Sequence, residues 1–217
     1  MQPSQTAPSA TTADLARIAR HPGVQRFPGA ALILFQQKHF LTPDECAALI
    51  GRIDARRRPS TIADANGDSL FRTSETCDLD HGDPFVADID ARIAGWLGID
   101  PAHGEPIQGQ RYAAGQEFKP HTDYFEPNGS DYARYCSVAG NRTWTAMIYL
   151  NEPAQGGATR FTSIGKTIRP QTGKMLAWSN RRADGSLNPD SIHHGMKVRG
   201  GTKYVITKWY RERPWSG

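Results

Sequence analysis

The sequence predicts a mainly β protein with flanking α-helices, folded as a sandwich or a barrel. Short apolar segments separated by Gly, Pro or Asn fill the chain from about Pro106 onward, and this spacing is typical of sandwiches and barrels. Two segments with helical periodicity precede them. The 217 residues include 21 glycines and 15 prolines, which fits one domain with many turns.

The chain begins with a segment of different composition. Residues 1–13 are rich in Pro, Ser, Thr and Ala and lack the cationic and apolar regions of a signal peptide, so a disordered leader is predicted. A single domain is predicted over residues 14–217, beginning with a short helix at residues 14–20. The apolar run at residues 30–35 is too short to span a bilayer and is predicted to be a buried strand.

Two longer helices are predicted before the strands. The first begins where Thr42 can cap, Pro43 suits the first helical position and Glu45 completes a capping box. The second covers residues 84–97, and Gly98 is its expected C-cap. Both are expected to pack as scaffolding on the outside of one sheet.

The remaining elements are predicted to be strands and loops. Residues 60–72 indicate a loop or edge segment with a hairpin turn at Asn66-Gly67. A polar loop at residues 126–142 is either a cover over a substrate or a surface connection. The predicted strands cover residues 107–113, 143–150, 166–169, 174–177, 196–198 and 202–211.

Charge and cysteine content narrow the classes of partner. The formal net charge is +4 and the sequence pI is about 9.0, but the basic residues are scattered apart from 56–58 and 181–182. Nucleic-acid binders concentrate charge on one face, so no nucleic-acid partner is expected. No membrane partner is expected either, because the apolar run at residues 30–35 is too short to span a bilayer. Cys46, Cys77 and Cys136 are predicted to be free thiols in a reducing cytoplasm.

The feature that points to chemistry is His121-Thr122-Asp123, followed much later by His193. Two imidazoles and one carboxylate can hold a divalent metal and leave other positions open, as in non-heme Fe(II) oxygenases. In an extended segment residues i and i+2 project to one side, so His121 and Asp123 can reach the same ion. His193 completes the set only if its strand lies beside theirs. The tripeptide alone is also typical of a solvent-facing loop.

Several motifs surround these residues in a fixed order. They are RYAAGQEFKPHTDYF at 111–125, TWTAMIYLNE at 143–152, GGATRF at 156–161, HHGMKV at 193–198 and GTKYVITKW at 201–209. Their order and separations resemble the catalytic domain of the prolyl 4-hydroxylase family of Fe(II)/2-oxoglutarate-dependent oxygenases, over about residues 105–213. The resemblance implies a double-stranded β-helix (jelly-roll, cupin-like) core with a metal inside one open end.

The resemblance also implies the metal ligands. His121, Asp123 and His193 match the iron ligands of the family. His194 is the competing candidate, since alternation along a strand lets only one of the two neighbours face the metal. The family's basic residue that anchors 2-oxoglutarate follows the distal His by ten, and Lys203 stands ten after His193 (203 minus 193).

Further residues are assigned to cosubstrate and substrate by the same resemblance. Lys203 in isolation would be a surface lysine, but an inward lysine needs an anionic partner, which the distal carboxylate of 2-oxoglutarate supplies. Matching positions that line the cosubstrate pocket are Tyr112, Thr145 and Trp209, each also an ordinary strand residue. Tentative substrate residues are Arg72, Tyr132, Tyr135 and Trp178, the last expected, with Asn180, at the mouth of the site.

The implied reaction uses Fe(II), 2-oxoglutarate and O₂, with ascorbate as reductant. It hydroxylates an unactivated C–H, most simply of a peptidyl proline, and releases succinate and CO₂. The metal and cosubstrate supply the chemistry, so no catalytic residue beyond the metal site is expected. Because the motifs describe iron and cosubstrate only, another peptide residue, a small molecule, or a catalytically silent ligand-binding jelly-roll stay as alternatives.

Overall fold

A computed structural model describes residues 12–60 and 71–215. The predicted leader up to residue 11 and the predicted turn at Asn66-Gly67 lie outside the described residues. Across the described residues, no helix has both the length and the apolar character needed to cross a membrane. The α-helices are α1 (Thr12–Ile18), α2 (Pro43–Arg56), α3 (Pro84–Leu97) and α4 (Tyr132–Cys136).

The strands form two main antiparallel sheets and a small two-stranded one. The larger sheet contains β1 (Val24–Arg26), β2 (Leu34–Gln37), β3 (Arg58–Pro59), β4 (Glu75–Asp78), β5 (Gln108–Tyr112), β7 (Arg142–Tyr149), β11 (Met175–Ser179) and β14 (Lys203–Arg211). The smaller contains β6 (Phe118–His121), β9 (Thr159–Phe161), β10 (Lys166–Ile168) and β12 (His193–Gly195). The third pairs β8 (Gln155–Gly156) with β13 (Val198–Gly200).

The order of strands places the last one at the centre. The larger sheet runs β1-β2-β11-β7-β14-β5-β4-β3, and the smaller runs β10-β9-β12-β6. Side chains alternate across β14: Val205 packs in the core beside the smaller sheet, whereas Ile206 packs in the core beneath the helices. Both faces of this strand are therefore covered, which explains why all nine of its residues are buried.

The helices cover one face of the larger sheet, as predicted. Leu49 and Ile53 of α2 and Ile89 and Ile93 of α3 join the same apolar cluster as Ile206. Thr42 accepts from the backbone N–H of Glu45, and the Glu45 side chain accepts from the N–H of Thr42, so the predicted capping box is confirmed.

Three predicted elements were wrong. In the run at 30–35, the strand begins only at Leu34, because Phe27 N–H donates to Leu34 O (2.9 Å) and closes a turn over the preceding residues. In place of a strand at 196–198, β12 ends at Gly195 and β13 begins at Val198, since the register shifts at Gly195. The loop at 126–142 contains helix α4.

Candidate active site

Three potential metal ligands converge at one end of the smaller sheet. His121, the last residue of β6, and His193, the first of β12, are register partners, which confirms that their strands are adjacent. Asp123 follows two residues later and turns back toward them. One ligand atom from each residue lies within 4.8 Å of the others, and Nε2 of each histidine is 3.9 Å from an Asp123 carboxylate oxygen.

Both imidazoles are fixed in the tautomer that a metal requires. His121 Nδ1 lies 2.7 Å from Lys119 O, and His193 Nδ1 lies 3.0 Å from Ser191 O. A carbonyl oxygen only accepts, so each Nδ1 carries the proton and each Nε2 keeps a lone pair facing the cluster. Burial, together with the neighbouring His193, holds the pKa of His121 well below its ordinary value. A pair of imidazoles oriented in this way fits a metal centre.

His194 lies apart from this cluster. Its Nε2 is 3.0 Å from Glu117 Oε2, and Lys197 Nζ is 3.4 Å from the other carboxylate oxygen of Glu117. The neighbour of His193 is therefore engaged in a separate ionic group on the other side of the strand.

The inner chamber extends from the cluster to Lys203 and is lined by Tyr112, Thr159, Trp178 and Val205 among others. Lys203 is only 2% exposed, and its Nζ lies 5.1 and 5.5 Å from the ring centroids of Tyr112 and Tyr149. Burial lowers the pKa of Lys203 to about 7. Among the described residues it has no carboxylate partner, so the chamber ends in a cationic group that suits an anionic ligand.

Thr159 is a residue of this chamber that the sequence did not single out. The Tyr149 hydroxyl donates to Thr159 Oγ1 (2.7 Å), close to where Lys203 lies. The available signal was Gly157, which has φ of +70° and whose added Cβ would stand 3.2 Å from Lys203 Cδ. The glycine lets the lysine stem pass beside the turn that leads into β9.

The outer cleft, about 480 Å³ in volume, opens on the other side of His121 and Asp123. Arg72, Tyr132 and Tyr135 line it, as do Phe125 and Trp215. Three of the four predicted substrate residues therefore lie together there. Trp178 does not: it is 1% exposed and packs against Phe161 and His193 in the inner chamber. The expectation that Trp178 lies at the mouth was wrong.

A buried ionic group on the cleft floor was also missed. Arg142 donates to both carboxylate oxygens of Glu105 (2.6 and 2.7 Å), and Arg211 Nε lies 2.6 Å from Glu105 Oε1. The Arg142 guanidinium stacks 3.9 Å from the Trp209 ring centroid. Trp209 lines both cavities, and its Nε1–H is buried without a partner among the described residues.

The segment at 126–142 is tied to the end of β14. Arg211 Nη1 donates to Tyr135 O (3.1 Å) and Gly140 O (2.7 Å), and Arg213 Nε donates to Val138 O (2.8 Å). These donors satisfy carbonyls at and beyond the C-terminus of α4, which have no partner within the helix. The segment is thus an anchored wall of the cleft.

Thr145, which was predicted to line the cosubstrate pocket, contacts the metal cluster instead. Its hydroxyl donates to Asp123 Oδ2 (2.7 Å), and Asn180 Nδ2 donates to Thr145 Oγ1 (2.9 Å). Both residues are fully buried.

Comparison with known proteins places this geometry in a family. The family model described as the 2OG-Fe(II) oxygenase superfamily matches residues 107–211. Probable prolyl 4-hydroxylase 3 of Arabidopsis thaliana is 32% identical over 199 residues, covering 81% of this chain and 68% of that protein. Prolyl 4-hydroxylase 1 of the same plant is 31% identical over 194 residues, covering 80% and 67%.

Solved structures share the fold. The viral collagen prolyl hydroxylase of Paramecium Bursaria Chlorella virus-1, in its 2OG complex, superposes with a TM-score of 0.63 at 24% identity, covering 82% of this chain and 94% of that one. A Pseudomonas putida prolyl-4-hydroxylase gives 0.56 at 23% identity, covering 93% and 98%. These likenesses identify the two facing sheets as the predicted jelly-roll.

Proposed function

Since the chain belongs to the prolyl 4-hydroxylases of the 2OG-Fe(II) oxygenase superfamily, and is thus a 2-oxoglutarate-dependent dioxygenase, we propose that it hydroxylates a proline residue in an extended peptide. The observation that carries the proposal is that two cavities meet at His121 and Asp123. The inner chamber ends in a buried cation, and the outer cleft has aromatic walls. The inner chamber suits a small dicarboxylate, and the outer cleft suits a peptide.

The metal is assigned to His121, Asp123 and His193. The two proton-bearing Nδ1 atoms leave both Nε2 atoms free as ligands, and Asp123 adds the negative charge that Fe(II) prefers. His194 is assigned no metal role, because its ring nitrogen is engaged by Glu117.

The cosubstrate is assigned to the inner chamber. Lys203 would pair with the distal carboxylate of 2-oxoglutarate, and Tyr112 and Thr159 would line its path to the cluster. Trp209 Nε1–H, buried without a partner among the described residues, is available to a ligand at the junction of the two cavities. Bound Fe(II), 2-oxoglutarate and O₂ supply the oxidation of a C–H bond and yield succinate and CO₂.

The substrate is assigned to the outer cleft. Phe125 and Tyr135 stack at 5.2 Å between ring centroids and face a cleft that is also lined by Arg72 and Tyr132. Prolines in an extended polyproline-type segment dock on aromatic grooves with little entropic cost. Guanidinium groups beside the rings can donate to the carbonyls of such a segment. These features favour a peptide over a compact small molecule.

Three further expectations form part of the proposal. Ascorbate serves as the reductant, as the family resemblance implies. The protein works in a reducing cytoplasm, which is supported by Cys46, Cys77 and Cys136 being free and buried. Residues 14–217 act as one domain, which is supported by the two apolar clusters sharing the strands of the larger sheet.

Mass spectrometry of incubated peptides tests the function. Proline-containing peptides, and matched peptides with Ala for Pro, are incubated with Fe(II), 2-oxoglutarate, ascorbate and enzyme, and succinate is measured in parallel. We expect one added oxygen on proline, absent from the Ala peptides and from the Asp123→Ala enzyme. Oxygen on another residue, or succinate without any peptide oxidation, would favour the alternative substrates. No succinate under any condition would indicate a silent binding module.

A further inference from the structure

Two fully buried polar residues, Thr145 and Asn180, stand behind Asp123 on the larger sheet. We propose that they are positioning residues which hold the Asp123 carboxylate in the orientation that it needs as a metal ligand. The proposal rests on the metal assignment above and reassigns Thr145 from the cosubstrate pocket to the carboxylate.

The hydroxyl of Thr145 has one proton, and its neighbours determine where that proton points. An ionised carboxylate only accepts hydrogen bonds, so Thr145 must donate to Asp123 Oδ2 across the observed 2.7 Å. Asn180 Nδ2 donates to the same Oγ1 at 2.9 Å. This donor occupies a lone pair of the hydroxyl and so directs its proton away from Asn180 and toward Asp123.

The orientation of the Asn180 amide follows from the same reasoning. If the amide oxygen faced Thr145, the single hydroxyl proton would have two competing acceptors. A proton donated to Asn180 would leave Asp123 facing a lone pair of the hydroxyl. The contacts of Thr145 with Asp123 and with Asn180 are both hydrogen bonds only when Nδ2 of Asn180 faces Thr145. The backbone of Asn180 is held on both sides, since its N–H donates to Thr143 O (2.8 Å) and its O accepts from Asn188 N–H (2.9 Å).

The surroundings make the bond to Oδ2 difficult to replace. Thr145 pairs with Trp178 on one neighbouring strand and with Trp209 on the other. Register partners in an antiparallel sheet point to the same face, so the hydroxyl lies between two large rings where water does not compete. Charge-assisted hydrogen bonds in such an environment are strong.

The consequence concerns how the carboxylate is presented to a metal. Oδ1 of Asp123 lies 3.9 Å from Nε2 of His121, and Oδ2 lies 3.9 Å from Nε2 of His193. A carboxylate oxygen can accept a hydrogen bond and still offer a lone pair, so the bond from Thr145 leaves Oδ2 able to coordinate. The pair therefore fixes the rotation of the carboxylate, with one oxygen toward each imidazole.

Titration of the intact protein with Co(II) alone, followed by visible absorbance, tests the proposal without turnover. Thr145→Val should weaken Co(II) binding roughly 10- to 100-fold, as loss of a hydrogen-bond partner to a ligand generally does. Thr145→Ser should restore it. Thr143→Val is the matched control, since the Thr143 hydroxyl donates to Tyr210 O instead, and it should bind like wild type. Thr145→Ala gives a second variant without the hydroxyl if the Val variant does not fold.

A double-mutant cycle distinguishes positioning from general packing. Asn180→Leu should weaken Co(II) binding less than Thr145→Val, and the double variant should bind no more weakly than Thr145→Val alone, because Asn180 acts through the hydroxyl. Additive losses, a Thr145→Ser variant as weak as Thr145→Val, or an equal loss in Thr143→Val would overturn the proposal. Co(II) binding that survives in Asp123→Ala would instead overturn the metal assignment, and with it the proposed function.

Discussion

The buried cationic side chains at the end of the inner chamber and on the floor of the outer cleft differ in whether they have a carboxylate partner. In the inner chamber, Lys203 has no carboxylate partner among the described residues, and burial lowers its pKa to about 7. On the floor of the outer cleft, Arg142 and Arg211 share Glu105 at 2.6–2.7 Å. Burial alone would raise the pKa of Glu105, but the two arginines hold it below its ordinary value.

The difference indicates what each cavity recognises. An unpartnered buried cation is costly until an anion binds, so we expect the inner chamber to select its ligand by charge. A cation already paired within the protein has little need of an external charge and offers its remaining N–H groups and its stacked face. On the cleft floor we therefore expect recognition by shape and neutral hydrogen bonding, which is consistent with a peptide backbone. Arg72 in the cleft wall is the exception, since it donates to Ser74, Thr76 and Gln108 and has no carboxylate partner among the described residues.

Asp123 of the metal cluster and Glu105 of the cleft floor are the two carboxylates whose removal should have the most different effects on activity and stability. Asp123→Ala should abolish turnover and Co(II) binding, because it removes both charge and a coordination position. Its free energy of unfolding should fall by less than that of the cleft-floor variant below, since the change removes the hydrogen bond from Thr145 but not the carboxylate that pairs directly with Arg142 and Arg211. Succinate formation and Co(II) titration measure the first effect, and urea denaturation the second. Residual turnover above a few per cent would contradict the ligand assignment.

Glu105→Gln should have the opposite profile. It leaves Arg142 and Arg211 buried without a counterion, and breaking a buried ion pair typically costs about 3–5 kcal/mol. We expect that loss in the free energy of unfolding, measured by urea denaturation, with Co(II) affinity of the folded protein retained. A variant as stable as wild type would show that the outer charges are not paired as described.

Lys203→Ala tests recognition by charge. The distal carboxylate of 2-oxoglutarate would lose a charge-assisted partner, worth about 1.5–3 kcal/mol or roughly ten- to a hundredfold in affinity. Titration calorimetry with 2-oxoglutarate on the Co(II)-loaded protein measures it. Unchanged affinity would remove Lys203 from the cosubstrate site.

The same lysine should give the protein a pH dependence when no cosubstrate is bound. Its pKa is about 7 when folded and near 10.4 when unfolded, so between these values the unfolded chain binds more protons and stability rises with pH. Relative to Lys203→Met, wild type should gain about 2 kcal/mol of unfolding free energy between about pH 7 and about pH 9. Urea denaturation at both pH values measures the gap, and saturating 2-oxoglutarate should abolish the gain.

Of these substitutions, we expect His194→Ala to change activity and stability least. Because His194 pairs with Glu117 outside the cluster, His194→Ala should lose one partly exposed hydrogen bond, worth about 1 kcal/mol, and keep most of its activity. His193→Ala, in contrast, should be inactive. Measuring the turnover of both variants under identical conditions tests which histidine is the metal ligand. The reverse order would exchange the two histidines in the metal site.

Features with local signals were predictable from the sequence. The capping box of α2 and the left-handed C-cap at Gly98 depend on residues a few positions apart. The metal cluster was predictable from the order of the motifs, but not through i, i+2 alternation. β6 ends at His121 and Asp123 lies in the bend that follows, so the chain turns to bring its carboxylate to the histidines. The pair Gly156-Gly157 is itself a local signal for a turn, but only the folded sheet shows that Lys203 passes beside Gly157.

Features that depend on strand pairing were not predictable. Glu105 and Arg142 are 37 positions apart, and neither lies in a pattern that indicates a partner. Trp178 and Thr145 sit on strands that are buried on both faces, where hydrophobic alternation no longer tells which face a residue occupies. The turn before β2 was hidden by an apolar run, since apolar residues also line turns that fold over the core.

The central position of β14 has a consequence for how the protein is made. This strand is the last of the described strands in sequence, yet it lies between β7 and β5, so until it emerges from the ribosome the larger sheet is two separate halves. Before β14 is inserted, β7 and β5 each have an unpaired edge. Unpaired strand edges are prone to misfolding and aggregation. The insertion that joins them also delivers Lys203, Trp209 and Arg211. Nascent chains should therefore acquire cosubstrate binding and protease resistance in one late step, and chaperones should engage them before it.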